Sequence, residues 1–137
     1  MGIVKELIKN EADGSISFGD YTLAAKAKLD DFDHDGDIYK IKTYQAMTKL
    51  EKNGLFMYES VPGTAVNDLV LTAEGMKFNV VGFEDSQLTL GLADETAYEI
   101  FVGGNSIGTM KTTLGGKLNF SVELNADESL AIEVKKA

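Results

Sequence analysis

The segment Asp31-Phe32-Asp33-His34-Asp35-Gly36-Asp37-Ile38 places carboxylates at the first, third and fifth positions, glycine at the sixth and an aliphatic residue at the eighth. That is the opening of a calcium-binding loop, in which short acidic side chains converge on one hard cation. The twelfth position is Lys42, an ammonium where a glutamate normally supplies two ligand oxygens, and the flanks read as strands. The reading is therefore a solvated acidic turn that keeps a hairpin end soluble, with calcium on Asp31, Asp33, Asp35 and Asp37 left open.

A second constellation, Gly104-Asn105-Ser106-Ile107-Gly108, has the spacing of a nucleophile elbow. An elbow needs a strand–turn–helix context and a histidine later in the chain. The only histidine, His34, lies upstream, and Thr109–Thr113 continues as a strand, so Ser106 has no general base and the glycines read as a hairpin turn. The overlapping glycine spacing from Gly103 lacks a phosphate loop's basic contact, since Thr109-Met110 stands where Lys-Ser/Thr belongs. All thirteen basic residues are lysines, which removes the planar fork that captures carboxylate or phosphate in two bonds. No cysteine is present, so thiolate nucleophiles, disulfides and thiolate metal sites are excluded together.

Among twenty-two carboxylates some pair falls at glycosidase spacing by chance, so a pocket is the real requirement. Tyr39, Tyr44, Phe56, Tyr58, Phe78 and Tyr98 have rings that can stack on sugars, but each sits at a strand position that suits a core, and there is no tryptophan. No catalytic, cofactor-binding or metal-binding residue is assigned. The expectation is a protein that is not an enzyme.

A chain of 137 residues buries roughly two thirds of its extended surface, enough for its own core. A net charge of −9 repels polyanions at long range, so neither nucleic acid nor membrane is expected as a partner. The first nine residues hold no apolar stretch of signal-peptide length and nothing later reaches a membrane span, which makes cytoplasmic residence the expectation, with export by a non-standard route open. Glu6 stands where a myristoylation motif wants Ser or Thr, so Gly2 is read as unmodified.

Seven alternating segments fill the C-terminal half: Val66–Thr72, Met76–Val81, Gln87–Leu92, Ala97–Val102, Ser106–Thr112, Lys117–Leu124 and Leu130–Lys135. Each is short, rich in β-branched or aromatic residues and bounded by turn residues, the pattern of an all-β sandwich. Upstream, Ile3, Val4, Leu7 and Ile8 fall at helical spacing, so residues 2–9 can form a two-turn amphipathic helix. Ser15–Phe18 and Tyr21–Leu29 read as a hairpin about Gly19-Asp20, followed by an acidic loop at Asp30–Asp37 and a strand at Ile38–Thr43. Residues 43–54 fit either a helix ending at Gly54 or a hairpin; Asn53-Gly54 between Met47–Lys52 and Leu55–Ser60 favours the hairpin, because both turn positions require positive φ. Pro62-Gly63 marks the joint between an N-terminal β-hairpin region, 1–62, and a C-terminal seven-stranded sandwich, 63–137.

The stretch from Leu92 through Tyr98 to Val102 resembles the tyrosine corner of fibronectin type III-like sandwiches, and Gly103-Gly104-Asn105 with Gly115–Phe120 resembles small sandwiches appended to polysaccharide-active enzymes. The resemblance implies an immunoglobulin-like or fibronectin-like order, with the ring of Tyr98 in the core and its hydroxyl on upstream backbone. The whole chain, above all Thr48–Leu55 and Glu59–Val66, is similar to small proteins of anaerobic bacteria loosely labelled "endosialidase". Sialidases clamp the sugar carboxylate with arginines, of which this chain has none, so the label does not carry over as chemistry.

Two classes of function follow. The first is a non-catalytic structural or interaction protein, a homo-oligomer assembling through strand edges or through residues 1–9, with Lys26, Lys28, Lys40, Lys42 and Lys49 placed to block some edges. The second is a carbohydrate-binding or glycan-processing accessory protein.

Overall fold

The computed structural model describes residues 2–137 and contains thirteen β-strands and no helix. They are β1 (Ile8–Asn10), β2 (Ile16–Phe18), β3 (Ala27–His34), β4 (Asp37–Tyr44), β5 (Met47–Lys52), β6 (Leu55–Val61), β7 (Ala65–Thr72), β8 (Gly75–Val81), β9 (Ser86–Gly91), β10 (Ala97–Val102), β11 (Asn105–Lys111), β12 (Lys117–Val122) and β13 (Leu130–Lys136). Two antiparallel sheets result. One has seven strands in the order β1-β2-β7-β8-β13-β10-β11, the other six in the order β12-β9-β6-β5-β4-β3.

The seven C-terminal segments are β7 to β13, each within two residues of the expected bounds. Alternation places them there: Leu118, Phe120 and Val122 of β12 are buried while Lys117, Asn119 and Ser121 are exposed. The same period buries Tyr39, Ile41 and Thr43 in β4. Inward faces of both sheets meet in one core, in which the Tyr58 ring of the six-stranded sheet stands edge-on to Phe18 and Phe78 of the seven-stranded sheet, at 5.4 and 5.7 Å. The all-β sandwich is as expected.

Three local expectations are overturned. Residues 2–9 are not a helix: Val4 donates its N–H to the Gly19 carbonyl, and Ile8–Asn10 pairs with β2. A two-turn helix has little stability by itself, whereas a strand on the free edge of β2 pairs its backbone with that edge and still buries Val4 and Ile8. Nor do Ser15–Phe18 and Tyr21–Leu29 form a hairpin, because β2 pairs with β1 and β7 while β3 pairs with β4. Residues 19–26 cross between sheets instead, starting at Gly19, whose φ of 101° and contact with the Thr64 carbonyl admit no side chain. Asp20 then caps the turn by accepting the Thr22 N–H at 2.9 Å. The acidic loop at Asp30–Asp37 is itself two strands joined by Asp35-Gly36, with φ of 54° and 85°.

Residues 43–54 are a hairpin, as favoured: Asn53 and Gly54 adopt φ of 52° and 79° between β5 and β6. The joint at Pro62 is a crossing from one sheet to the other, not the border of two units. β2 pairs with β7 and β6 with β9, so strands from both sides of residue 62 share each sheet. The seven C-terminal strands put only β9 and β12 in the second sheet, too few to cover the five they place in the first. The rest of the cover comes from β3 to β6.

The crossing is held by buried hydroxyls. Thr48 Oγ1 donates to the Thr64 carbonyl at 2.7 Å, and the hydroxyls of Tyr58 and Ser60 meet Thr64 Oγ1 at 2.7 and 2.8 Å. Burial raises the Tyr58 phenol, which keeps it neutral and able to donate.

Candidate functional site

The structure disperses both chemical constellations. Asp31 and Asp33 lie within β3, Asp35 forms the turn and Asp37 opens β4, so the chain does not wrap around a point as a calcium loop must. Asp37 is committed elsewhere: the Asn53 amide donates to it at 3.0 Å and Lys52 lies 3.5 Å away, and the amide above all holds its carboxyl below the usual aspartate range. Among the described residues no three Asp, Glu or His side chains converge as a metal cage. Ser106 stands exposed on β11 and donates to Glu99 at 2.7 Å, while His34 lies on β3 at the opposite flank, beside Tyr39 and Asn10.

Tyr98 forms the expected corner. Its ring is buried, and its hydroxyl accepts the Ala93 N–H, five residues upstream, at 3.2 Å. Tyr39, Tyr58 and Phe78 are also core residues, so four of the six candidate sugar platforms are inside. Tyr44 and Phe56 remain at the outer face of the six-stranded sheet, each under lysine: Lys26 lies 5.7 Å from the Tyr44 ring, and Lys49 and Lys117 lie 5.9 and 4.7 Å from that of Phe56.

That outer face is built by register. Lys28 stands directly opposite Lys42, Lys42 opposite Lys49 and Lys49 opposite Glu59; Glu59 faces Thr89, and Thr89 faces Asn119. One row of side chains thus crosses all six strands, basic at one end and neutral at the other. Lys28 and Lys42 have no carboxylate within 4.0 Å among the described residues. At the neutral end the side chains interlock: Gln87 donates to Asn119, Asn119 to Thr89 at 2.7 Å, and Ser121 to Gln87 at 2.8 Å. Lys40, Lys42 and Lys49 were expected to block edges, but β4 and β5 are interior strands. Of the strand lysines in that set, Lys28 alone is on an edge. The row escapes a linear reading because the three lysines become neighbours only through pairing.

Two further surfaces complete the survey. A groove of about 400 Å³ on the seven-stranded sheet runs between Phe101 and Asp68 over Asn79 and Ala131, with Lys77 and Glu133 in its wall. Lys135 already sits 5.2 Å from the Phe101 ring. At the flanks, the two sides of the sandwich differ. β1 and β3 are tied by the Asn10 amide, which donates to the Asp33 carbonyl at 3.2 Å. β11, at the other flank, pairs only with β10 and is exposed along all seven residues. Met110 and Gly108 stand opposite Tyr98 and Ile100, yet Tyr98 and Ile100 are buried and their partners are not, so β11 projects past the cover of the six-stranded sheet.

No family model, curated protein or solved structure matches the chain.

Proposed function

We propose that the chain is a non-catalytic interaction module that self-associates through the β11 edge. The supporting observation is the asymmetry of the flanks. β1 is three residues long and bonded across to β3; β3 carries Lys28, Asp30, Asp31 and Asp33 and a bulge between Leu29 and Phe32. Shortness, charge and bulging are the devices that protect an edge. β11 has one charge, Lys111, and exposes Ile107 and Met110 with Leu114 just beyond. Its bulge at Ile107 leaves Gly108–Lys111 as its longest regular stretch, and the apolar side chains supply the rest of the contact. Residues 2–10 serve the monomer, since Val4 and Ile8 bury in its own sandwich. Association of a chain of charge −9 strengthens with salt. Light scattering at high protein concentration tests this: a dimer that becomes a monomer in the double variant Ile107→Lys/Met110→Lys is expected, and a monodisperse wild-type monomer at all salt concentrations overturns it.

A further inference from the structure

We propose that the outer face of the six-stranded sheet binds an acidic polysaccharide, a hydroxyl-rich chain carrying carboxylate groups. The starting point is an unfavourable arrangement. Like charges directly opposite one another on neighbouring strands destabilise a sheet, and here Lys28, Lys42 and Lys49 do so across three strands. The chain carries twenty-two carboxylates that could have alternated with them. Instead Lys28 and Lys42 have no carboxylate within 4.0 Å among the described residues, and acidic side chains reach the row only at Lys49, which faces Glu59 and lies 4.0 Å from Glu51, on a protein of net charge −9.

Strands lie about 4.8 Å apart, so the backbone positions of the three lysines repeat at that spacing along a line perpendicular to the strands, and their flexible side chains can follow the successive units of a polymer. The row then changes character. Glu59, Thr89 and Asn119, flanked by Gln87 and Ser121, present carboxylate, hydroxyl and amide groups on the same outer face. Their mutual hydrogen bonds set their orientation and leave further donor and acceptor capacity outward. Phe56, between the lysine and amide ends and beneath Lys49 and Lys117, adds one ring edge.

Such a face matches a ligand that alternates charge with hydroxyls. Nucleic acid would engage the lysines through its phosphates, but the neutral half of the row would be idle against it. A membrane surface would use the charges but not the amide ladder. This surface is separate from β11, so loss of self-association and loss of ligand binding are distinguishable in the Ile107→Lys/Met110→Lys variant.

The test is calorimetric titration at about 0.15 M salt, where the long-range repulsion between a chain of charge −9 and a polyanion is screened, with polygalacturonate as ligand and neutral dextran, single-stranded DNA and anionic phosphatidylserine vesicles as comparators. Binding to polygalacturonate alone is expected. It should weaken at least about tenfold in Lys28→Gln/Lys42→Gln/Lys49→Gln, whose melting temperature is checked to be no lower than wild type, and also weaken in Gln87→Ala/Asn119→Ala. No binding to polygalacturonate overturns the proposal. So does equal binding by the lysine variant, or binding of DNA or vesicles as tight as that of polygalacturonate with no effect of Gln87→Ala/Asn119→Ala.

Discussion

At the scale of single residues, Tyr98 illustrates how one side chain performs two structural tasks. Its ring fills the core beneath β10, and its hydroxyl anchors the segment arriving from β9 by accepting from Ala93. Tyr98→Ala is expected to cost about 3–5 kcal/mol, whereas Tyr98→Phe, which keeps the packing, costs on the order of 1 kcal/mol. Denaturant unfolding measures both, and an unchanged midpoint for Tyr98→Ala refutes the role. Asp13 and Asp37 give the fold an acid sensitivity. The Ser15 hydroxyl lowers Asp13 and the Asn53 amide lowers Asp37. A carboxyl whose folded value is depressed contributes fully above its unfolded value, about 4, and loses that contribution as pH falls through the lower folded value. Stability should therefore decline below about pH 4, and Asn53→Ala should move the Asp37 titration, read by carboxyl NMR shifts, upward toward the ordinary range.

At the scale of elements, glycines separate turn chemistry from packing. Gly54 has φ of 79° and open space where a side chain would stand, so Gly54→Ala meets only the left-handed backbone penalty of about 1–2 kcal/mol. A Cβ at Gly91 would collide with the Phe56 carbonyl, so Gly91→Ala forces two strands apart and costs more than Gly54→Ala. Thermal melts of the two variants give the order directly. The lysine row makes an opposite prediction: Lys42→Thr removes one charge and with it two like-charge pairings, to Lys28 and Lys49, and is expected to stabilise by about 0.2–1 kcal/mol, with the gain shrinking in high salt. A neutral or destabilising effect at low salt would show that the row carries no strain.

At the scale of the whole molecule, the two sheets and the main core between them make residues 2–62 and 63–137 interdependent. Phe18 and Tyr58 from one side of Pro62 pack with Phe78 from the other, and β6 supplies the neighbour of β9. Unfolding is accordingly expected as one cooperative transition, coincident by far-UV circular dichroism and tyrosine fluorescence. A fragment spanning 63–137 should stay unfolded in one-dimensional NMR, because β9 and β12 alone cannot cover β7, β8, β13, β10 and β11. Dispersed methyl resonances from that fragment would restore the two-unit division.

What the linear chain determined was everything local in origin. Alternation of side chains along β7 to β13 and the positive-φ pair Asn53-Gly54 need no distant partner to be read, and Tyr98 lies only five residues from the group it anchors. The absence of arginine and cysteine was equally plain in composition. Tertiary structure decided the matters that depend on which strand lies next to which. Residues 2–9 have helical spacing, but the unfilled edge of β2 draws Ile8–Asn10 into a sheet. Asp31 to Asp37 have calcium-loop spacing, but pairing of β3 with β4 straightens them. Lys28, Lys42 and Lys49 are separated by seven residues or more in sequence and become a row only because antiparallel register sets them opposite one another. Side-chain period is a property of one strand, whereas register is a property of two, and the candidate binding surface of this protein is made of register.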